Sequence, residues 1–247
     1  FEAFIVGGAV RDYLLDMPIS DIDITTNAKP FEVSKIFHKT KPTGIKYGTI
    51  SVFIGEDVFE VTTYRIDEEY ADQRHPSGVT FSQSVLDDIQ RRDFTINGLL
   101  IDIHKEVIDH VGGKKDLEAK MIKTIGNPKK RFKEDALRML RAFYFQSKLG
   151  FQIDIETRQA ITELKEDILN ISKERVLMEM IKILKGKHAK KAIHSMVHTK
   201  MHDVLPDLKQ GIEYVNQMDD MPFVDAFFTL CFTLNQGISS YWPFSNK

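Results

Sequence analysis

The sequence predicts an α+β chain, with a mixed sheet-and-helix head up to about residue 127 and helices alone after it. Short segments rich in β-branched and aromatic residues alternate with glycine-containing turns in the first half. Apolar residues recur at helical spacing through the second half. Asn127-Pro128, a dipeptide typical of turns, separates the two patterns.

The head begins with the apolar segment Phe4–Val6, which predicts a strand, and with Ala9–Leu15, whose spacing predicts a helix. Ile22 and Ile24 then alternate with aspartates, as in a half-buried strand. Four later segments predict two strand pairs, Thr49–Phe53 with Val58–Thr62 and Leu99–Ile103 with Glu106–Val111. Four segments after residue 127 predict helices: Lys129–Leu149, Ile155–Leu164, Ser172–Leu184 and Ala189–Thr199.

Composition excludes a disordered or membrane-embedded chain, because 42% of the 247 residues are hydrophobic and 28% are charged. The apolar stretch Phe223–Leu234 is interrupted by Asp225 and is shorter than the roughly 20 residues of a membrane span. The single cysteine, Cys231, allows no intramolecular disulfide, so we expect a cytoplasmic protein. Because the chain opens on Phe1 rather than methionine, we expect a trimmed N terminus.

Charge is unevenly distributed, although the net charge is only −2. Residues 114–141 carry ten Lys and Arg against four Asp and Glu, while the head before them is acidic. This pattern suits a metal site beside a phosphate-binding surface, and a solvated helix face is the alternative interpretation.

Asp21-Ile22-Asp23 places two carboxylates on one face of the predicted strand, since side chains at i and i+2 leave the same side. Two adjacent carboxylates repel unless a cation lies between them, and hard divalent cations prefer oxygen ligands. Gly7-Gly8 ends a strand and opens a helix, a setting in which backbone amides face phosphates. Glu60 adds a carboxylate between apolar residues of a later strand.

This order of features resembles the DNA polymerase β-type nucleotidyltransferase superfamily. Five segments, from residue 4 to about 185, are similar to the motifs of class II tRNA nucleotidyltransferases and bacterial poly(A) polymerases. Glycine stands at position 98, where that family usually has alanine. The five segments are Gly7–Asp12 with Asp21–Thr26, Arg91–Leu99, Asp109–Leu117, Arg131–Arg141 and Ser172–Glu179.

The resemblance implies a palm-like catalytic head at residues 1–127, a helical neck at 128–186 and a helical body at 187–247 that we expect to be truncated. It implies that Asp21 and Asp23, with Glu60, are catalytic, and that the two aspartates bind Mg²⁺. It further implies a set of nucleotide-binding residues: Gly7, Gly8, Arg11, Arg91, Arg92, Asp93, Asn97, Asp135, Arg138 and Arg141. Arg91 or Arg92 would contact the triphosphate and Asp93 the ribose 2′-OH.

Asp135 and Arg138, three residues apart on the predicted helix, would share a face. A carboxylate accepts and a guanidinium donates, which complements the amino group and ring nitrogen of both cytosine and adenine. Uracil and guanine present the reverse pattern. In the family this motif selects the incoming nucleotide, and a simple i,i+3 ion pair is the plainer alternative.

The resemblance therefore implies addition of CMP and AMP, from CTP and ATP, to the 3′ end of tRNA. The long segment Ile66–Gln90, with Glu69, Asp72, Arg74 and Pro76, is similar to a flexible loop of CCA-adding members. Alternatives are a poly(A) polymerase, a CC-adding or A-adding member, transfer to a small molecule, and a non-catalytic RNA-binding relative. A metal site at His188, His194, His198 and His202 is less expected than packed or surface histidines.

Overall fold

A computed structural model describes residues 1–68, 78–237 and 241–243. The chain divides into two compact units. The first holds the described residues up to Gly126 apart from residues 120–122, and the second holds 120–122 and the described residues from Asn127 onward. Among these residues, no helix has the length and apolar character to cross a membrane.

The strands of the described residues are β1 (Ala3–Val6), β2 (Asp23–Thr26), β3 (Thr40–Gly44), β4 (Thr49–Ile54), β5 (Asp57–Thr63), β6 (Arg65–Asp67), β7 (Val79–Phe81), β8 (Leu99–Ile101), β9 (Val107–Asp109), β10 (Met121–Ile122) and β11 (Gln152–Ile153). The helices are α1 (Gly8–Leu14), α2 (Pro30–Ile36), α3 (Val85–Gln90), α4 (Gly113–Glu118), α5 (Pro128–Glu134), α6 (Leu137–Leu149), α7 (Ile155–Leu164), α8 (Lys173–Lys185), α9 (Ala189–His198), α10 (Lys209–Gln217) and α11 (Val224–Leu234).

The first unit is organised around a seven-stranded mixed sheet in the order β3-β4-β5-β2-β1-β8-β9. The β2–β5 pair is parallel, and its neighbours in the sheet pair antiparallel. In the β2–β5 register Asp23 lies opposite Glu60, and in the β1–β2 register it lies opposite Val6. Asp23 and Glu60 therefore lie side by side at the centre of the sheet, next to the end of β1 that leads into Gly7.

Two buried clusters fix the elements around that point. In one, Ala28 and Val33 pack with the strand residues Ile50, Val52 and Val61. The other consists of Val6, Ile89, Leu100 and Ile125 and anchors α3 against the sheet. Burial of each large aliphatic side chain contributes roughly 1.5–3 kcal/mol before entropy is counted.

The second unit is helical except for the short parallel pair of β10 and β11. Helix α6 lies at its centre and packs against both α8 and α9. Gly186, after α8, allows a close approach, because a Cβ at that position would lie 1.9 Å from Ser147 Oγ. The backbone N–H of His188 also donates to the Ser147 carbonyl at 2.7 Å, so glycine is required where this turn meets α6.

The α+β prediction is confirmed, as are the β4–β5 and β8–β9 pairs and the α7, α8 and α9 helices. The three-way division at residues 127 and 186 stays a prediction. The sequence patterns did not predict seven elements, most of which are short: α2, α4, α10, α11, β3, β10 and β11.

Three expectations were wrong. The predicted helix Lys129–Leu149 breaks at Asp135, whose φ of −145° and ψ of 105° are extended. Asp21 precedes β2 rather than belonging to it, since the strand begins at Asp23. Ile66–Gln90 is not a loop throughout, because it contains part of β6, all of β7 and α3. The loop positions Glu69, Asp72, Arg74 and Pro76 lie outside the described residues.

Candidate active site

Three carboxylates gather at the N-terminal end of β2. Asp23 opens the strand, Glu60 lies opposite it on β5, and Asp21 lies two residues before it. Desolvation raises the pKa of Asp23 above its usual value; Arg92 opposes this rise, while Glu60 and Asp21 add to it. A carboxylate that is partly desolvated among like charges favours a cation beside it.

The Gly7 turn lies directly against this acidic group. Its φ of 80° and ψ of −132° favour glycine, because a side chain would strain the backbone. A Cβ at Gly7 would lie 3.4 Å from Nη1 of Arg92 and 3.9 Å from Oδ2 of Asp23. The carbonyl of Gly7 accepts from the backbone N–H of Arg11 at 3.2 Å, which starts α1 at this point.

Arg91 and Arg92 follow α3 and share one buried carboxylate, that of Asp88. Arg91 Nη2 donates to Asp88 Oδ1 at 2.5 Å, and Arg92 Nη2 donates to Asp88 Oδ2 at 2.9 Å. Arg92 is the arginine beside Gly7 and Asp23, whereas Nη1 of Arg91 lies 3.9 Å from Oδ2 of Asp67 on β6. The two guanidiniums, both bound to Asp88, therefore extend toward different parts of the first unit.

Arg11, Asn97 and Asp93 form a buried hydrogen-bond chain beneath the turn. Arg11 Nη1 donates to Asn97 Oδ1 at 2.6 Å, and Asn97 Nδ2 donates to Asp93 Oδ1 at 3.0 Å. Arg11 also pairs with Asp12 at 2.7 Å, and both side chains are nearly inaccessible to solvent. This burial favours a supporting role for Arg11 under Gly8, and its contact with a nucleotide stays a prediction.

Asp135 and Arg138, in the second unit, are held by different partners. The Asp135 carboxylate accepts from the Leu137 backbone N–H at 3.1 Å and from Arg175 Nη2 at 2.8 Å. Arg138 Nη1 donates to Glu134 Oε2 at 2.7 Å. Because the helix breaks at Asp135, the pair is oriented by these contacts rather than by an unbroken helix face.

Other predicted or considered residues lie elsewhere in the second unit. The guanidinium of Arg141, on α6, lies 5.3 Å from the centre of the Phe145 ring. His202 is buried, and its Nε2 lies 3.2 Å from Glu213 Oε1 and 3.6 Å from Asp203 Oδ1. Lys209 Nζ already pairs with Asp203 at 2.8 Å, so polar contacts among these side chains account for the group.

Two family models match the chain. The model described as the poly A polymerase head domain matches residues 3–123, and the model described as a probable RNA and SrmB-binding site of polymerase A matches residues 150–212. A CCA-adding enzyme of Bacillus pumilus is 44% identical over 242 residues, which cover 98% of this chain and 58% of that protein. The chain belongs to the family of CCA-adding enzymes and poly(A) polymerases.

Further relatives agree with this membership. A CCA-adding enzyme of Anoxybacillus flavithermus is 47% identical over 84% of this chain and 52% of its own length. The crystal structure of the Bacillus stearothermophilus CCA-adding enzyme in complex with CTP superposes with a TM-score of 0.81 at 40% identity, covering 88% of this chain and 53% of that one. This member of the family therefore spans a little over half the length of the relatives that it matches.

Membership confirms the resemblance inferred from the five motifs, and the fold agrees with the nucleotidyltransferase head of solved relatives. The family implies use of a divalent metal ion. Sequence reasoning assigned no role to four residues that hold the predicted site residues in place, although three of them lie inside the motif segments: Asp88, Thr25, Glu134 and Arg175. The spacing of Asp88 from Arg91 and Arg92 is that of helical ion pairs at i+3 and i+4, a pattern that the sequence shows. The ion pair of Arg175 with Asp135 joins residues 40 positions apart, so no local pattern indicated that pairing.

Proposed function

We propose that this chain carries the catalytic and nucleotide-selecting parts of an enzyme that adds CMP and AMP, from CTP and ATP, to the 3′ end of tRNA. The proposed reaction joins the RNA 3′ oxygen to the α-phosphate and releases pyrophosphate. The observation that carries the proposal is the acidic group Asp23, Glu60 and Asp21 beside the Gly7 turn, in a chain 44% identical to a CCA-adding enzyme.

We also propose Mg²⁺ as the metal of this group. The donor set fits, since Asp21, Asp23 and Glu60 offer only carboxylate oxygens, and the pKa of Asp23 is raised by desolvation first and then by its like-charged neighbours, with Arg92 opposing the rise. Asp21 and Asp23 would hold the ions, with Glu60 completing the group. The chemistry that bound Mg²⁺ supplies to nucleotidyl transfer is a lowered pKa of the attacking hydroxyl and neutralised phosphate charge.

The protein's own residues account for binding of the nucleotide. Arg92 lies against Gly7 and Asp23, which supports our assignment of the triphosphate contact to its guanidinium. Asp93, held by Asn97 and by its neighbour's N–H, would accept from the ribose 2′-OH. Asp135 and Arg138 would select the base, the carboxylate accepting from the amino group and the guanidinium donating to the ring nitrogen.

A poly(A) polymerase is the second candidate, because the matching head model carries that description. Such an enzyme would extend RNA with ATP alone and without a fixed stopping point. A CCA-adding enzyme uses CTP first and stops after adenosine. We propose a cytoplasmic location and tRNA, CTP and ATP as partners on the same grounds.

Pyrophosphate release from CTP in the presence of tRNA that lacks its terminal CCA tests the proposal. Asp21→Asn and Asp23→Asn should reduce release to background while the circular dichroism spectrum and melting temperature stay near those of the unmodified chain. Asp57→Asn, which removes an exposed carboxylate at the start of the same β5 strand that carries Glu60, is the matched control and should remain active. Near-normal release by either active-site variant would refute the assignment.

A further inference from the structure

Asp88 is a buried charge for which the proposed reaction has no direct use. Its side chain is wholly inaccessible to solvent. Burial of an ionised carboxylate is costly unless it is paired and hydrogen-bonded, and removal of one partner of such a pair is strongly unfavourable. Here both carboxylate oxygens are engaged, and the partners are the two arginines that follow α3.

Each carboxylate oxygen of Asp88 accepts from a different arginine. Oδ1 accepts from Arg91, through Nε at 2.9 Å and Nη2 at 2.5 Å. Oδ2 accepts from Arg92, through Nε at 3.3 Å and Nη2 at 2.9 Å. Thr25 Oγ1 donates to Oδ2 as well, at 3.1 Å. Each arginine therefore meets Asp88 with its Nε–Nη2 edge.

This geometry determines where Nη1 of Arg92 lies. With Nε and Nη2 fixed on Asp88, Nη1 is the atom that lies 3.4 Å from the position of a Cβ on Gly7. Thr25, which anchors the same carboxylate, stands two residues after Asp23 on β2. Asp88 thus ties the arginine to the strand that supplies the acidic group.

We propose that Asp88 is a positioning residue, which holds Arg92 in the orientation that receives the triphosphate of the incoming nucleotide. The proposal rests on the proposed function, because it assumes that a nucleoside triphosphate lies over Gly7. Asp88 itself touches no substrate. Its loss should therefore weaken binding of the triphosphate group while leaving recognition of the base unchanged.

A positioning role and a purely electrostatic role of Asp88 predict opposite changes in the affinity for CTP. Asp88→Asn removes a negative charge near a polyanion, which by charge alone would tighten binding of CTP. Positioning predicts the opposite, because an amide cannot hold both guanidiniums by charge-assisted hydrogen bonds. Asp87→Asn is the matched control, since it removes the same charge one residue earlier and leaves the Asp88 contacts in place.

The experiment measures dissociation constants of CTP and CMP for the purified chain by calorimetry. For Asp88→Asn we expect CTP to bind roughly 10–100-fold more weakly, the value of one charge-assisted hydrogen bond, while CMP changes less than about threefold. Asp87→Asn should bind CTP at least as tightly as the unmodified chain does. Thr25→Val leaves all charges in place and should weaken the binding of CTP about 2–10-fold. This variant replaces Asp88→Asn in the test if Asp88→Asn does not fold.

A double-variant cycle with Arg92→Ala completes the test. If Asp88 acts through Arg92, adding Asp88→Asn to Arg92→Ala should weaken CTP by less than about threefold further. Equal weakening of CTP and CMP, or additive losses in the double variant, would overturn the positioning role. Absence of CTP binding by the unmodified chain would instead contradict the proposed function itself.

Discussion

Asp135 offers the sharpest test of base selection, because its observed structural contacts can be separated from its proposed contact with the base. It accepts from the Leu137 N–H at the start of α6 and from Arg175, and we propose that it also accepts from the amino group of the incoming base. Asp135→Ala removes all three contacts. Asp135→Asn keeps an oxygen for Leu137 and adds an N–H donor, so it changes base recognition with less effect on the fold.

The structural contribution can be estimated. A lost hydrogen bond costs about 1 kcal/mol and a partly exposed ion pair about 0–1 kcal/mol. Asp135→Ala should therefore lower the free energy of unfolding by about 1–2 kcal/mol, all the more because Nη1 of Arg175 is already buried without a hydrogen-bond partner. Asp135→Asn should cost less than Asp135→Ala.

The effect on selectivity is larger and has a definite pattern. An amide can donate to the uracil carbonyl that a carboxylate repels, while Arg138 still opposes the uracil ring N–H. Preference for CTP over UTP should fall about 10–100-fold in Asp135→Asn, the worth of one hydrogen bond to a charged group. Asp135→Ala should also relax discrimination against UTP and GTP.

The assay is single-nucleotide incorporation into tRNA, with each of the four NTPs alone, at a temperature well below the melting point of both variants. The ratio of kcat/KM for CTP to that for UTP is the readout, so a general loss of activity cancels. If both variants kept the selectivity of the unmodified chain, Asp135 would serve only to accept from the Leu137 N–H and to pair with Arg175.

Three further predictions concern stability and the segment before α3. Asp109 accepts from four backbone N–H groups at the start of α4; partial burial opposes ionisation, but these hydrogen bonds together lower its pKa. The free energy of unfolding, measured with urea, should therefore be higher for the unmodified chain than for Asp109→Asn by an amount that is constant above about pH 5 and shrinks below about pH 4. A difference that does not change with pH would contradict this. Gly186→Ala should lower stability by about 1–3 kcal/mol through overlap with Ser147, whereas Gly237→Ala, which has no atom of the described residues within 4 Å of its Cβ position beyond its chain neighbours, should be neutral in thermal unfolding. Shortening of residues 69–78, nine of which lie outside the described residues, should spare C addition and abolish terminal A addition in a primer-length assay; equal loss of both would contradict it.

The head of the chain could be predicted from its sequence because its signals are local. Gly7-Gly8 needs a positive φ at Gly7, and hydrophobic alternation placed the β4–β5 hairpin and thereby Glu60. The register of Asp23 with Glu60 could not be predicted, since it depends on a parallel pairing across 37 residues. The position of Asp21 before β2 could not be predicted for a related reason. The alternation of apolar and polar residues does not show where the strand begins to pair with its neighbours.

The break at Asp135 shows how a polar side chain overrides helical spacing. Residues 129–149 keep apolar periodicity on both sides of the break, so the pattern predicted one helix. Aspartate competes with helical hydrogen bonds by accepting from the N–H two residues ahead, as Asp135 does from Leu137. Its ion pair with Arg175 then fixes the extended backbone through a contact that no local pattern contains.

We propose that the acidic group in the head and the Asp135–Arg138 pair serve one CCA-adding activity. The most direct measurement is the sequence of the 3′ end produced when the purified chain acts on tRNA ending at its discriminator base, with all four NTPs present. We expect extension by C, C and A, then termination, and no extension by Asp23→Asn. A run of adenosines, incorporation of U or G, or unchanged extension by Asp23→Asn would contradict it.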